Sequence, residues 1–288
     1  MEESSATESW RAELIAGLHA LREGHFSQAE THFDRAYRAA PERAEVSFAL
    51  GRERLRRGNA AEAEELLWAA WRTDPSLLSA GATLARCLGL HRGRNAEAHA
   101  VLDEAEAHHG RQPALDVTRA ELFAHAKDWE RAEQCARRGL ATTESEGEKD
   151  PTRLAAAAVL ARVDNERGVD LARAGDHEAA LFAFKRASDL DPAWGAPHLN
   201  TGAAFAALGR RRAARTAYER AIAVDPTNAI AHYNLGLLLL DCGLTNEAVA
   251  RLDTARQFEP ADPAIAAGAD DARSRLRRES PPRRDGDE

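Results

Sequence analysis

An all-α solenoid, made of helix pairs stacked in series, is the fold this sequence predicts, and three observations predict it. Small residues and prolines recur every 34 residues: Gly17 with Gly51, Gly168 with Gly202 and Gly236, Gly175 with Gly209 and Gly243, Pro192 with Pro226 and Pro260. Within each period, apolar residues fall at i, i+3, i+4 and i+7, the spacing of one buried helical face. The repeating units also absorb nearly all of the 288 residues, which leaves no stretch of domain size for a separate catalytic unit.

The elements follow in order. Residues 1–9 are acidic and polar and read as a disordered N-terminus. Residues 10–140 read as an N-terminal array of about four repeats. The first repeat spans Trp10–Arg43 and the second Ala44–Leu77, with Ala29/Ala63, Phe33/Leu67 and Ala36/Ala70 keeping their register. In the second, helices over Ala44–Arg57 and Ala60–Arg72 flank Gly58-Asn59, a helix stop followed by an N-cap residue. The third, from Leu78, holds one extra residue, so that Gly93, Ala98, Leu102 and Ala105 each sit one place late. The fourth is degenerate, with Asp128-Trp129 at its turn, Ala132 in the small column and Ala136 where an aromatic is usual.

Residues 141–150 (ATTESEGEKD) read as a loop or hinge, and 151–262 as three further repeats. The fifth repeat has an extended first helix from Pro151, then Gly168, Gly175, Ala180 and Phe184. The sixth and seventh, Gly195–Asn228 and Ala229–Asp262, are the most regular, and Gly175-Asp176 repeats the stop-and-cap signal. Asp74-Pro75, Asp191-Pro192 and Asp225-Pro226 close the second helices, because the residue before proline is pushed out of the helical region. Residues 263–278 form a capping helix whose Arg- and Asp-rich outer face shields the last repeat, and 279–288 read as a disordered tail.

A unit with Gly at its eighth position, Ala at the twentieth, an aromatic or Leu at the twenty-fourth, Ala at the twenty-seventh and Pro at the thirty-second resembles the tetratricopeptide repeat (TPR) family over roughly residues 10–260. The resemblance implies a right-handed superhelical α-solenoid of about seven helix-turn-helix (TPR) repeats with a C-terminal capping helix, its first helices lining a concave groove. The small columns have a geometric job: Gly51 or Gly202 on the first helix, facing Ala63 or Ala214 on the second, lets two backbones approach closely.

Composition narrows the function. Thirty-nine Lys and Arg against 47 Asp and Glu leave a net charge of −8, which argues against nucleic-acid or anionic-membrane partners. The longest apolar runs, Leu154–Ala161 and Leu235–Leu240, fall short of the roughly 18 residues a membrane helix needs. The acidic start lacks the basic and apolar regions of a signal peptide, so the expected compartment is the cytoplasm, and the scarcity of Lys beside Arg points to a GC-rich bacterial genome.

Cys87, Cys135 and Cys242 form no CxxC pair and are expected to act as small buried hydrophobes. His19, His25 and His32 scatter over two helices and a turn and read as exposed polar positions, not zinc ligands. No phosphate-binding glycine loop or nucleophile elbow is present. Arg273, Arg275, Arg277 and Arg278 alternate with acids and read as a solubilising cap, while Leu67, Trp68 and Trp71 should pack on the third repeat. The expectation is therefore no catalytic residue, no metal and no cofactor.

Positions 2, 5, 6, 9, 12 and 13 of each first helix share one face at helical spacing and should line the groove. They supply Phe48, Arg52, Leu55, Arg56, Arg86 and Leu90 in repeats two and three. In repeats five to seven they supply Arg162, Asn165, Val169, Leu199, Asn200, Ala203, Ile230, Tyr233, Asn234 and Leu237. Asn200 and Asn234 both occupy position 6, and an amide can pair with the C=O and N–H of an extended peptide. The pair resembles the asparagine ladder of the O-linked N-acetylglucosamine transferase superhelix, although Glu166 stands at that column in repeat five. The dicarboxylate clamp of chaperone cofactors is not reproduced, since Asn165, Val169, Ile230 and Asn234 stand where its other ligands belong.

The expected function is a non-catalytic protein–protein interaction scaffold or adaptor that binds a peptide or protein in the concave groove. A homo-oligomeric structural assembly, or a regulatory subunit of an enzyme complex, is the alternative.

Overall fold

The computed structural model describes residues 2–142 and 150–279. Fifteen α-helices and no strand occur among the described residues. They form two compact units, one through Val159 and one from Leu160 onward.

The first unit holds α1 (Glu2–Arg22), α2 (Phe26–Ala39), α3 (Ala44–Arg56), α4 (Ala60–Thr73), α5 (Leu78–Arg86), α6 (Asn95–His109), α7 (Pro113–His125), α8 (Trp129–Thr142) and the start of α9 (Pro151–Arg173). The second holds the rest of α9, then α10 (His177–Leu190), α11 (Gly195–Ala207), α12 (Arg211–Val224), α13 (Ala229–Asp241), α14 (Thr245–Phe258) and α15 (Pro263–Glu279). Helices pack as neighbours in pairs: α1 with α2, α3 with α4, α5 with α6 and α7 with α8 in the first unit, α11 with α12 and α13 with α14 in the second.

The repeat columns are the packing seams. Ala29, Ala63, Ala98, Ala132, Ala180, Ala214 and Ala248, one per repeat, are all fully buried. Opposite them lies the glycine column. A Cβ at Gly168 or Gly202 would sit 2.5 Å from Cε1 of Phe184 or Tyr218, so only hydrogen fits between helix and ring. Leu67 and Trp71 are buried in one cluster with Leu84, Leu88, Leu102 and Leu115, so the second repeat packs onto the third as expected.

Turns show how loosely chemistry has to match geometry. Gly58 and Gly175 end their helices at φ +85° and +86°, a conformation that favours glycine. In the fourth repeat Lys127 takes that place at φ +60°. The Asp176 side chain accepts a hydrogen bond from Ala179 N and caps α10. Asn59 does not: no side-chain cap bond forms at α4, which corrects the N-cap expected there.

The extra residue of the third repeat is absorbed at once. Cys87–His91 form a π-helical turn at the end of α5, closed by Arg92 N donating to Cys87 O at 3.1 Å. A π turn holds one residue more than an α turn, and Ala98, Leu102 and Ala105 beyond it are fully buried again.

Some boundaries differ from the sequence reading. The first helix α1 starts at Glu2, ahead of the Trp10 start of the first repeat, in a stretch that no Gly or Pro interrupts. Glu279 belongs to α15 and accepts from Thr245 Oγ1 at 2.9 Å. Most of the expected 141–150 loop (143–149) and the rest of the expected tail (280–288) lie outside the described residues. Cys242 is exposed, not buried like Cys87 and Cys135. The cap α15 turns Ile265, Ala269 and Ala272 inward and pairs Arg273 with Asp253 (2.8 Å) and Arg275 with Asp271 (2.9 Å) on its polar side. No helix among the described residues is long and apolar enough to cross a membrane.

Candidate functional site

In the first unit the inner columns of successive first helices converge. Ser79, Ala82, Thr83 and Arg86 on α5, Ala114, Val117 and Thr118 on α7, and Pro151, Thr152 and Ala155 on α9 line a trough of about 230 Å³. Seven of these ten residues are Ala, Ser or Thr, and their short side chains leave helix surface open. Arg86 closes one end, its Nε donating to Glu121 Oε2 at 2.5 Å, so the guanidinium is oriented and half-neutralised.

The arginines of the second repeat behave differently from each other. Arg52 is exposed, its guanidinium 5.7 Å from the Phe48 ring centroid, and no carboxylate lies within ion-pair distance among the described residues. Arg56 stands 4.0 Å over the Phe26 ring and donates twice to Glu53, at 2.9 and 2.6 Å. Burial pushes the Glu53 carboxyl up, but hydrogen bonds from Arg56 and Arg57 outweigh it and hold it below the usual carboxylate range. Arg56 is thus committed to a buried anion, leaving Arg52 as the open cation of this face.

In the second unit the predicted residues divide again. Asn165 is only 4% exposed, which corrects its place among groove-facing residues: position 5 of the extended α9 turns inward. There its Oδ1 accepts from Asn200 Nδ2 at 2.9 Å, so Asn165 props Asn200 from within. Asn200 keeps one N–H and its own Oδ1 free for other use. Asn234 is half-buried, with no hydrogen-bond partner for its amide among the described residues, because its neighbour one repeat back is Leu199. Ile230 is 53% exposed, and Arg162 and Ala203 are exposed too. Leu199 and Leu237 are half-buried against the cluster holding Tyr218, Leu235 and Leu252. Tyr233 leans on Ala229, Ala255 and Ile265, which makes it partly a support for the cap.

A second pocket, of about 270 Å³, opens between α9, α10 and α11. Val169, Ala172, Phe184, Ala203 and Ala204 supply apolar walls, and Asn200, Arg173 and His177 the polar ones. His177 Nδ1 is buried there without a hydrogen-bond partner.

Residues not singled out from the sequence include Thr83, Thr118, Glu121, Thr152, Arg173 and His177. Applying the same column rule to the fourth repeat from its Pro113 start would have reached Thr118 and Glu121. His177 lies on a second helix and carries no such signal. His19 and His25 are exposed beside Glu23, whereas His32 pairs with Glu13 at 2.6 Å and is not a free surface group. Among the described residues no group of three or more His, Cys, Asp or Glu is placed to hold a metal ion.

Comparison with known proteins follows this geometry. A family model described as a TPR repeat matches residues 202–243, and one described as the protein kinase G tetratricopeptide repeat matches residues 2–134. No curated protein matches the chain in sequence. Among solved structures, a tetratricopeptide repeat protein from Parabacteroides merdae aligns over 92% of this chain and 99% of its own (15% identity, TM-score 0.56). PilF of Pseudomonas aeruginosa aligns over 81% of this chain and 97% of its own (18% identity, TM-score 0.57). The Cut9–Hcn1 hetero-tetramer aligns over 83% of this chain at 17% identity and TM-score 0.55, and this chain spans 45% of the length of the chain it matches there. At these identities the likeness is one of fold.

Proposed function

The chain is a tetratricopeptide repeat protein, and from that premise we propose that it is a non-catalytic scaffold whose first helices hold a peptide or protein partner. Arrays of this kind generally serve protein–protein interaction, through the extended inner surface that stacked repeats create. The observation that carries the reading is Asn234: a half-buried amide on an inner column, beside exposed Ile230, with its donors and acceptor unspent.

An extended peptide presents an N–H and a C=O along its backbone, and one amide can meet both. Ile230 and Leu237 add apolar surface for side chains. Arg52, in the first unit, offers a cation to an acidic partner, while the net charge of −8 speaks against nucleic acid or an anionic membrane as partner. A second reading, self-association, is favoured by Ile15 and Leu18, which are 66% and 45% exposed on α1.

Display of random peptides against the full chain, followed by affinity measurement on the selected sequences, tests the proposal. With about 0.5–1.5 kcal/mol per amide contact, Asn200→Ala with Asn234→Ala should weaken binding by roughly fivefold or more. A library that yields no binder, or binders indifferent to the double substitution, overturns it. Light scattering on a size-exclusion column, comparing the wild type with Ile15→Glu, decides the second reading.

A further inference from the structure

We propose that the pocket between α9, α10 and α11 is a specificity subsite that takes one branched aliphatic side chain of the docked peptide. The proposal rests on the groove reading above and adds to it the kind of residue selected.

The molecule contains its own comparison. Thirty-four residues on, Phe184 becomes Tyr218, Asn200 becomes Asn234, and Ala203 and Ala204 become Leu237 and Leu238, while Val169 and Arg173 become Ala203 and Ala207. Leu238 is 8% exposed, and both leucines pack against the cluster that holds Tyr218. In the later repeat two leucines of the chain therefore pack in the cluster of the aromatic ring. In the earlier one alanines stand there, and about 270 Å³ remains open.

What fits such a space is the group its counterpart supplies, an isobutyl or similar branched aliphatic group. Burying it removes apolar surface of ligand, Val169 and Ala203 from water together. The polar rim suits a peptide and not a bare hydrocarbon. Asn200, propped by Asn165, holds one N–H and one carbonyl oxygen ready for a backbone beside the pocket. The unpartnered Nδ1 of His177 is a further polar atom that a bound amide can satisfy.

The test uses the full chain with labelled methyl groups, titrated by NMR with N-acetyl-leucinamide, and with N-acetyl-alaninamide as control. Saturable shifts at Val169, Ala172, Ala203 and Ala204 are expected for the leucine probe at millimolar concentration and not for the alanine probe. Ala203→Leu should abolish them by filling the pocket from within. Ala203 is exposed, so this change leaves folding intact, and Ala207→Leu, exposed one turn further on, should leave the response unaltered.

Equal responses to both probes, no saturable shift, or a response that survives Ala203→Leu overturns the subsite. The groove reading is judged separately. Selected peptides that bind, yet carry no aliphatic preference and ignore Ala203→Leu, sink the subsite and leave the groove standing. Saturation by the leucine probe with no peptide selected sinks the groove reading, and with it a peptide as the source of the side chain.

Discussion

Gly202 offers the sharpest test of how the repeats are held together. A methyl group there would lie 2.5 Å from Cε1 and 3.0 Å from Cγ of Tyr218. Carbon atoms settle at about 3.5–4.0 Å, so the ring would have to retreat by roughly 1 Å. It cannot do so freely, being 4% exposed and packed in one cluster with Ala214, Leu235 and Leu252. Overpacking of this kind costs about 1–3 kcal/mol. Against it, alanine favours the middle of a helix over glycine by about 1 kcal/mol. Gly202→Ala should therefore destabilise by up to about 2 kcal/mol, whereas in a Tyr218→Ala background the clash is gone and the same change should stabilise. Far-UV circular dichroism melts of the four proteins read the change of sign. Hydrogen exchange at α11 and α12 gives the local free energy, since a repeat array need not unfold as one body. A Gly202→Ala substitution that raises the melting temperature in both backgrounds would refute the steric account of the glycine column.

Three further outcomes are expected. Lys127→Gly should raise stability by roughly 1 kcal/mol, because a side chain at φ +60° is strained; a lower melting temperature would show that the lysine contributes something else. Asp176→Ala should cost about 1 kcal/mol for the lost cap while Asn59→Ala costs almost nothing, and equal losses in denaturant titrations would remove that distinction. Burial pushes the Tyr218 hydroxyl up to about 12, above its ordinary value near 10. The folded state then keeps a proton that the unfolded state releases, so stability holds below about pH 10 and falls as pH rises toward 12. Tyr218→Phe should abolish this alkaline loss, and a titration of tyrosinate absorbance showing Tyr218 ionising at its ordinary value would contradict the assignment.

The solenoid was legible because its determinants are steric and repeat. Gly202 against Tyr218 and Ala214 in the seam are requirements of close helix contact, and each recurs at a fixed distance. What depends on a single neighbour was harder to read. Asn165 and Asn200 look alike in sequence, yet one step of about 100° around the helix separates a buried prop from a half-exposed amide. Asp176 caps its helix and Asn59 does not, although both follow a glycine stop. Arg52 and Arg56 sit one turn apart on α3, but only Arg56 finds Glu53. The pocket walled by Ala203 and Ala204 was hidden for another reason: a void is the absence of bulk, and alanine in a helix attracts no notice.

The π turn at Cys87–His91 has a bearing on how such chains change length. An insertion in a strand flips every later side chain to the opposite face, whereas here the surplus residue is looped out within a single turn and Ala98 returns to its seam. Insertions and deletions are thereby confined to the repeat in which they arise. A chain built this way can gain a residue without losing its seams, provided that glycine stays at position 89, where a Cβ would run into Leu122 of the next repeat.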